Sequence, residues 1–239
     1  MSNKFSFQLT IIVPVYNEEK TIKKILSDLR ILEEYCKLEI IVVNDCSKDN
    51  SLNIINENKN LFNVLINLDK NKGKGKAVIE GLKKSNGEYI LIQDADLEYE
   101  PKDIISFLAK VKHQNADLVM GSRFIGINRS VLNFWHMVGN KMITFLFNFL
   151  NNTTFSDIYC CYCLFERKNL QVEKLKSNGW GQQAEILTYL VKNSSKIYEV
   201  AVNYNGRTYS EGKKIRYIHA IDVIYWILIT KLKVIFSNS

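Results

Sequence analysis

The sequence lacks most of the features that mark disordered, repetitive or membrane-spanning chains. Its 239 residues include only two prolines, and they contain no low-complexity tract and no internal repeat, as in a globular protein. No uninterrupted apolar run reaches the roughly 18 to 20 residues needed to cross a bilayer. No basic-then-apolar leader precedes the first strand pattern, so we expect no signal peptide. Length and composition predict one large domain, or one domain with an appendage.

Cysteine is scarce and unevenly spaced. The five cysteines are Cys36, Cys46, Cys160, Cys161 and Cys163. An odd number with three crowded together makes a poor disulfide framework. The C-C-x-C cluster has no second ligand pair at zinc spacing, and no histidine lies within twenty residues of it. We therefore expect reduced, mostly buried thiols in a cytoplasmic protein.

Acidic residues are fewer than basic ones: 25 aspartates and glutamates against 32 lysines and arginines, a net charge of +7. The excess favours an acidic partner such as a phosphorylated substrate or an anionic membrane, although scattered lysines also fit a solvated basic surface. The C-terminal third differs, because cations flank an apolar segment there: Lys213, Lys214, Arg216, Lys231 and Lys233. No nucleic-acid-binding motif is visible, so we expect no nucleic acid partner.

Apolar runs alternate with helical patterns over the first 122 residues. The runs LTIIVPVY, LEIIVVND, FNVLINL, EYILIQD and ADLVMGSR each predict a strand. Helices are expected at about 18–35, after a cap at Asp49 or Ser51, at 76–85, and from Pro101. Apolar strands that alternate with helices indicate an α/β fold with a mostly parallel sheet covered on both faces.

The pattern changes after residue 130. A long apolar helix is predicted at 131–150, a second helix at 182–192, and a strand in KIYEVAVNY. The chain ends with IRYIHAIDVIYWILITKLKVIF, another apolar helix. Such helices are often simply buried, but the interfacial residues Trp135, Tyr225 and Trp226 and the flanking cations favour peripheral membrane attachment.

Polar segments follow the predicted strands. Ligands of parallel α/β sheets bind at the carboxyl ends of the strands. This rule collects five segments that are distant in sequence: PVYNEE, NDCSKD, NKGKGK, DADLE and GSRF. We expect the binding site at that edge of the sheet.

The segment YILIQDADLEYEP places four acids in seven residues: Asp94, Asp96, Glu98 and Glu100. On a purely structural interpretation, Asp94 and Asp96 would cap the turn before the helix that starts at Pro101. A calcium loop is excluded, because Tyr99 and Ile105 stand where glycine and glutamate are required. We favour a site for Mg²⁺ or Mn²⁺, which takes one or two protein carboxylates and completes its shell with phosphate oxygens and water.

The segment NKGKGKA is a glycine turn into a helix, and the Walker pattern cannot be fitted to it. Gly73 and Gly75 would let the backbone approach a ligand closely, and Lys74 would reach a phosphate.

Taken together, the ordered segments resemble glycosyltransferase family 2, the GT-A nucleotide-sugar transferases. They are IIVPVYNEE, IIVVNDCSKD, NKGKGKAVIEGL, YILIQDADLEYEP and DLVMGSRF. The later segments FSDIYCCYCLF, WGQQAEI and YEVAVNYNGRTYSEGKKI resemble the dolichyl-phosphate mannose synthase and polyprenyl-phosphate glycosyltransferase branch. The resemblance covers about residues 8–220, nearly the whole chain.

The resemblance implies a set of site residues. The donor nucleotide-sugar site would comprise Pro14, Tyr16, Glu18, Asp45, Lys74, Asp94, Ala95 and Asp96. The metal ligands would be Asp94, Asp96 and Glu98, holding Mg²⁺ or Mn²⁺. The acceptor phosphate would face Arg123, with Arg129, Arg207 and Lys213 as further candidates. Asp157 would lie near the reaction centre, and the catalytic set would be Asp157, Asp96 and Arg123.

Two segments depart from the family pattern. The family's TDMETCYK is SDIYCCYC here, so Cys163 replaces a lysine and Tyr159 replaces an acid. The family's FGFEPE becomes GWGQQAE, which keeps only the last acid as Glu185. Both departures fall in the acceptor half, so the acceptor is less closely defined than the donor chemistry.

The resemblance implies a metal-dependent, inverting transfer of a sugar from a UDP- or GDP-linked donor to a lipid phosphate such as polyprenyl or dolichyl phosphate. Asp157 would position groups for a phosphate acceptor, which needs little base catalysis. If the acceptor is instead a saccharide hydroxyl, Asp157 would be the general base.

Two rivals from other classes remain. A sugar-phosphate nucleotidyltransferase expects a glycine-rich loop after the first strand, where this chain has PVYNEE. A non-catalytic basic membrane-binding protein would leave the acid cluster unexplained.

We expect a catalytic domain at 1–212, with a nucleotide-sugar half at 1–122 and an acceptor half at 123–212. A C-terminal amphipathic helix would follow at 213–239. The expected location is the cytoplasmic face of a membrane. The sequence does not distinguish a monomer from a homo-oligomer.

Overall fold

The computed structural model describes residues 4–126, 134–207 and 219–236. Seven strands in these ranges form one sheet: β1 (Gln8–Val15), β2 (Lys37–Asn44), β3 (Val64–Asn67), β4 (Tyr89–Ile92), β5 (Leu118–Ser122), β6 (Cys163–Glu166) and β7 (Ile197–Ala201). Their order across the sheet is β3-β2-β1-β4-β6-β5-β7. Every neighbouring pair is parallel except β6, which runs antiparallel to both β4 and β5. The prediction of a mostly parallel α/β sheet is confirmed.

Helices connect the strands and cover the sheet: α1 (Ile22–Leu29), α2 (Ser51–Glu57), α3 (Lys74–Lys84), α4 (Ile104–Gln114), α5 (Phe134–Asn151), α6 (Gln182–Asn193) and α7 (His219–Phe236). Short 3₁₀ segments extend two of them, at Arg30–Glu34 after α1 and Pro101–Asp103 before α4. None of the helices in the described ranges is both long and apolar enough to span a bilayer.

The apolar runs become strands because both faces of the sheet are buried. Successive side chains of a strand point to opposite faces, so Ile11 and Ile12 enter different core layers. Ile11 packs in the layer that contains α1 and α4, and Ile12 packs in the layer that contains α3 and α6. Full burial of such a side chain contributes roughly 1.5–3 kcal/mol, which is why these strands read as continuous hydrophobic runs.

Strand β6 is the main element that the sequence patterns did not predict. Its four residues are the last three of FSDIYCCYCLF and Glu166 after them, where no strand was predicted. Leu164 pairs with Leu91 on one side and with Val119 on the other, so β6 lies inside the sheet. Strands β3 and β4 are equally short and were predicted, so length alone does not explain the omission; the pairing with β4 and β5 is what identifies β6 as a strand.

The start of α2 also differs from the expectation. Neither Asp49 nor Ser51 is the N-cap residue; Asn50 occupies that position. Asp49 accepts a hydrogen bond from the Ser51 N–H at 3.0 Å, and the Ser51 hydroxyl accepts one from the Glu18 N–H at 2.8 Å. The two polar residues thus tie α2 to the loop after β1.

The expected boundary between 212 and 213 lies outside the described residues. Strands β6 and β7 come from the predicted acceptor half, yet they complete the sheet that β1 to β5 begin. Because every parallel strand ends at the same edge, the segments after β1, β2, β3, β4, β5 and β7 meet there.

Candidate active site

A cavity of about 300 Å³ opens at the carboxyl edge of the sheet. Most of the predicted donor, metal and acceptor residues line it: Pro14, Tyr16, Glu18, Asp45, Lys74, Asp94, Ala95, Asp96, Glu98, Arg123 and Arg207. Asp157 is fully buried and does not line the cavity. Arg129 and Lys213 lie outside the described residues.

Asp94 and Lys74 form the closest ion pair of the cavity wall. The Lys74 Nζ atom lies 2.5 Å from Asp94 Oδ1 and 3.5 Å from the Cys161 sulfur. Burial by itself would raise the pKa of Asp94, but the neighbouring Lys74 ammonium lowers it overall. Burial likewise works against charge on Lys74, and Asp94 reverses that effect and raises the lysine pKa. Both groups are therefore charged at neutral pH.

Arg207 gathers the other acids of the cavity. Its guanidinium lies 2.7 Å from Asp96 and 3.1 Å from Glu18, and its backbone N–H donates to Glu98 at 2.9 Å. Burial, followed by the negative charges of Asp94 and Glu98, raises the pKa of Asp96 to about 7. Arg207 was expected at the acceptor phosphate; in this structure it pairs with Glu18 and Asp96, two residues that were expected in the donor site, and its contact with an acceptor stays a prediction.

Asp94, Asp96 and Glu98 of the acid segment all line the cavity. The Glu98 carboxylate accepts hydrogen bonds from the Tyr204 hydroxyl and the Arg207 N–H. Among the described residues no three acidic, histidine or cysteine side chains are arranged to hold a metal ion. Two carboxylates suit Mg²⁺ or Mn²⁺, which draws its remaining ligands from phosphate oxygens and water. Asp94 and Asp96 therefore fit such an ion, whereas the inclusion of Glu98 stays a prediction.

The glycine loop is positioned by Asp45 and by a distant segment of chain. The two carboxylate oxygens of Asp45 accept hydrogen bonds from the N–H groups of Lys72 and Gly73, at 2.8 and 2.9 Å. Gly73 has φ of 89°, in the left-handed region that favours glycine. A Cβ atom on Gly73 or Gly75 would lie 2.5 Å from a backbone oxygen of Asn178 or Ser177, respectively. The close approach of residues 177–178 thus requires these glycines, and the expected approach of a ligand to the loop stays a prediction.

Arg123 and Asp157 form a buried bidentate pair after β5. The guanidinium donates from Nε to Oδ2 at 2.7 Å and from NH2 to Oδ1 at 2.9 Å. Asp157 also accepts from the Asn140 amide at 2.9 Å and from the Tyr159 N–H at 3.1 Å. Burial would raise the pKa of Asp157, but Arg123 more than compensates and holds the pKa below its ordinary value. Asp157 is therefore a fixed anion behind Arg123, and its oxygens are already occupied.

Sequence reasoning missed several aromatic residues of the cavity. Tyr99, Trp180 and Tyr204 line it, and the Arg123 guanidinium lies 5.1 Å from the centre of the Tyr204 ring. Tyr204 follows β7, so the rule that collects segments at the carboxyl edge would have found it. Trp180 follows no strand; it lies in the segment WGQQAEI that carries the family resemblance, but it was not chosen as a site residue.

Comparison with known sequences matches residues 10–172 to the family described as glycosyl transferase family 2. The chain belongs to that family, and it is a glycosyltransferase. This confirms the resemblance drawn from the motifs and excludes the nucleotidyltransferase and non-catalytic alternatives.

Two relatives carry informative names. The chain is 30% identical to the dolichyl-phosphate beta-glucosyltransferase of Dictyostelium discoideum, over 82% of this chain and 66% of that protein. It is 28% identical to the UDP-N-acetylglucosamine–dolichyl-phosphate N-acetylglucosaminyltransferase of Methanococcus voltae, over 93% of this chain and 95% of that protein.

A solved structure shares the fold at low sequence identity. Glucosyl-3-phosphoglycerate synthase from Mycobacterium tuberculosis, crystallised with Mn²⁺, uridine diphosphate and phosphoglyceric acid, aligns with a TM-score of 0.69. The alignment covers 95% of this chain and 79% of that one at 15% identity.

Proposed function

We propose that the protein transfers a sugar from a nucleoside diphosphate sugar to a lipid phosphate of the polyprenyl or dolichyl class. The dolichyl-phosphate relatives support this acceptor class. The observation that carries the proposal is the Arg123–Asp157 pair, which presents a permanent cation to the cavity and leaves no free carboxylate behind it. An arginine held in this way binds a phosphate acceptor, because a guanidinium donates two parallel hydrogen bonds to phosphate oxygens.

The transfer would proceed with inversion at the anomeric carbon. A phosphate oxygen of the acceptor forms the new bond while the bond to the donor diphosphate breaks, and the electron pair leaves with the diphosphate. Lys74 lies beside Asp94 at the cavity wall, where its ammonium stabilises the charge that develops on the leaving group. Asp94 and Asp96 would hold Mg²⁺ or Mn²⁺, which supplies further positive charge to the diphosphate when bound.

A saccharide hydroxyl is the alternative acceptor, and it would need a general base. Asp157 is poorly suited to that task, because its lowered pKa and the five hydrogen bonds that its carboxylate accepts disfavour proton uptake. A phosphate acceptor is already an anion, so it needs no base. The positioning role of Asp157 is therefore the one that its surroundings support.

The proposal is tested by replacing Asp96 with alanine and assaying transfer from a panel of nucleotide sugars to polyprenyl phosphate and, in parallel, to saccharide acceptors, with and without Mn²⁺. We expect a loss of at least about 100-fold, since a charge-stabilising contact of the leaving group is removed. Glu100→Ala is the matched control, because Glu100 lies in the same segment but is exposed and does not line the cavity. Near-normal transfer by the Asp96 variant would contradict the metal assignment, and transfer only to saccharide hydroxyls would replace the acceptor assignment.

We also propose that α5 and α7 attach the protein to the cytoplasmic face of a membrane, where a lipid phosphate is found. The two helices pack against each other, and they carry most of the large exposed hydrophobic side chains of the described residues. This membrane face consists of Phe134, Trp135, Met142, Phe145, Phe149, Ile221, Tyr225, Leu228, Leu232, Ile235 and Phe236. Lys141, Lys231 and Lys233 are the lysines of the two helices, and they complement anionic lipid.

The chain organisation proposed on the same basis is a catalytic domain at 1–212 followed by a helical appendage at 213–239. Helix α7 belongs to the appendage in sequence, but its buried residues Val223 and Ile227 pack in the same core layer as Leu187 of α6. Helix α7 of the appendage is therefore packed against the catalytic domain.

A further inference from the structure

One wall of the cavity is a short segment that helix α7 touches from behind. Gly179 and Trp180 line the cavity, directly before α6 begins at Gln182. Asp222 of α7 accepts a hydrogen bond from the Gly181 N–H at 2.8 Å. The Trp180 ring lies 5.4 Å from the ring of His219, which is the first residue of α7. The wall Gly179–Gly181 is thus held between the cavity and the appendage.

The packing at this contact leaves no room for larger residues. A Cβ atom on Gly179 would lie 2.9 Å from the Asp222 carboxylate. A Cβ atom on Gly181 would lie 2.2 Å from the Trp226 ring, so that glycine permits the close approach of α7. Asp222 is the only acid in α7, and its charge reaches the cavity, because it raises the pKa of Tyr159 in addition to the larger effect of burial. Tyr159 lines the cavity together with Arg123.

The residues just before the wall are fixed in the same manner. The buried carboxylate of Glu185 accepts hydrogen bonds from the N–H groups of Lys176 and Ser177, at 3.0 and 2.8 Å. The Asn178 carbonyl in turn accepts from the Gly75 N–H at 3.0 Å. Two carboxylates therefore hold this segment. Glu185 holds residues 176–177, which lie against the glycine loop, and Asp222 of α7 holds Gly181.

We propose that Asp222 is a positioning residue of the sugar-transfer site, and that it sets the acceptor end of the cavity by holding the wall Gly179–Gly181. The inference rests on the proposed function, because the acceptor in question is the lipid phosphate proposed above. It gives helix α7 a part in binding that acceptor. Asp222 acts through Gly181 and Trp180, and it does not itself line the cavity. The appendage is then required for acceptor affinity even where no membrane is present.

The test uses Asp222→Ala and Asp222→Asn in the full chain with a short-chain polyprenyl phosphate in detergent, so that vesicle binding plays no part. We expect the acceptor KM of the alanine variant to rise about tenfold, as for the loss of one charge-assisted hydrogen bond, and the donor KM to change less than about twofold. The asparagine variant keeps an amide oxygen that can accept from the Gly181 N–H, so it should recover most of the acceptor affinity. Asp28→Ala, which removes an exposed acid of α1, is the charge-matched control and should change neither KM.

Hydrogen exchange of a peptide that spans residues 177–183 provides a second readout that needs no activity. Faster exchange in Asp222→Ala, with the midpoint of thermal unfolding recorded alongside, would show that the wall has been released. Released exchange with unchanged KM values would overturn the positioning role, as would an equal loss of activity toward both substrates that follows the loss of stability. If no variant, including the wild type, transfers sugar to the lipid phosphate, the proposed function fails. Unchanged exchange in Asp222→Ala would separately show that the contact itself is absent.

Discussion

Asp94 and Asp157 are both carboxylates paired with a cation, but their surroundings suit them to different tasks. Asp94 lines the cavity beside Lys74, so its negative charge is accessible to a cation that enters the cavity. Asp157 lies beneath Arg123, and its carboxylate accepts hydrogen bonds from that arginine, from the Asn140 side-chain amide and from the Tyr159 N–H. A buried carboxylate with such partners stabilises the fold only while it is ionised.

Replacement of Asp157 by asparagine should therefore reduce stability in a manner that depends on pH. Loss of one partner from a buried ion pair costs about 3–5 kcal/mol, because Arg123 is left without its counter-ion. The folded-state pKa of Asp157 lies below its unfolded value, so its contribution is complete above about pH 4 and is lost as the pH falls through the folded-state pKa. Urea unfolding of both proteins from pH 7 to pH 3 should show a large difference that shrinks only below about pH 4. A difference that stays constant over this range would contradict the assignment.

Partners of the charged residues could not be predicted from the sequence. Arg207 and Glu18 are separated by 189 positions, and no local pattern relates them. The sequence motifs correctly indicated that Glu18, Asp96 and Arg207 would lie at the cavity, because strand ends meet at one edge. Which cation neutralises which acid depends on side-chain packing, and the pairing of Arg207 with Glu18 and Asp96 follows from that packing alone.

At the scale of elements, the glycine loop before α3 shows how two distant segments are joined. Gly75 lies in the first turn of α3 and contacts the backbone of Ser177 and Asn178, whereas Gly139 lies in α5 with no atom within 4 Å of an added Cβ. The two residues are both helical glycines, and they differ in what surrounds them.

Alanine at these two positions should have opposite effects on stability. Gly139→Ala should raise the free energy of unfolding by up to about 1 kcal/mol, because alanine favours the helix and meets no neighbour. Gly75→Ala should lower it by roughly 1–3 kcal/mol, since the new methyl group would overlap the Ser177 carbonyl oxygen and displace the loop. Thermal unfolding of the two variants checks this, and a stabilised Gly75→Ala protein would refute the close contact. Nucleotide binding should weaken only in the Gly75 variant.

Elements with a long apolar pattern were predictable, and those that depend on tertiary contacts were not. Five strands of the parallel sheet read directly as hydrophobic runs, and helices α5, α6 and α7 show helical spacing. Strand β6 is defined by its pairing with β4 and β5. The helix expected from about residue 18 begins at Ile22, because a turn precedes it in which the Thr21 N–H donates to the Glu18 carbonyl. Such boundaries follow from hydrogen bonds that no residue pattern encodes.

At the scale of the whole molecule, the distribution of apolar surface is uneven. Apart from the membrane face, the described residues expose only Leu97 and Ile125 among their large hydrophobic side chains. A water-facing protein rarely concentrates exposed hydrophobic side chains in this way. This distribution supports the proposal that α5 and α7 face the bilayer.

Substitution of the membrane face should release the protein from anionic vesicles. We expect Phe145→Glu with Phe149→Glu to lower vesicle binding at least about tenfold in flotation, because burial of each phenyl ring contributes roughly 1.5–3 kcal/mol. Ser106→Glu with Gln114→Glu adds the same charge on the exposed surface of α4 and should have a much smaller effect. Added salt should weaken binding of the wild type without abolishing it, since only the electrostatic part is screened. Binding that is unchanged in the Phe145 and Phe149 variant would contradict the proposed face.

The position of β6 has a consequence for the order in which the protein can form during synthesis. Strands β1 to β4 can pair with one another as soon as they emerge from the ribosome, but β5 bonds only to β6 and β7. A nascent chain that ends shortly after residue 122 therefore carries a fully made but unpaired hydrophobic strand. The edge of β4 that pairs with β6 in the folded protein is also unpaired at that stage. Strand β6 must therefore enter between two strands that precede it in the chain, so the residues around Asp157, just before β6, can take their final positions only after β4 and β5 have been synthesised.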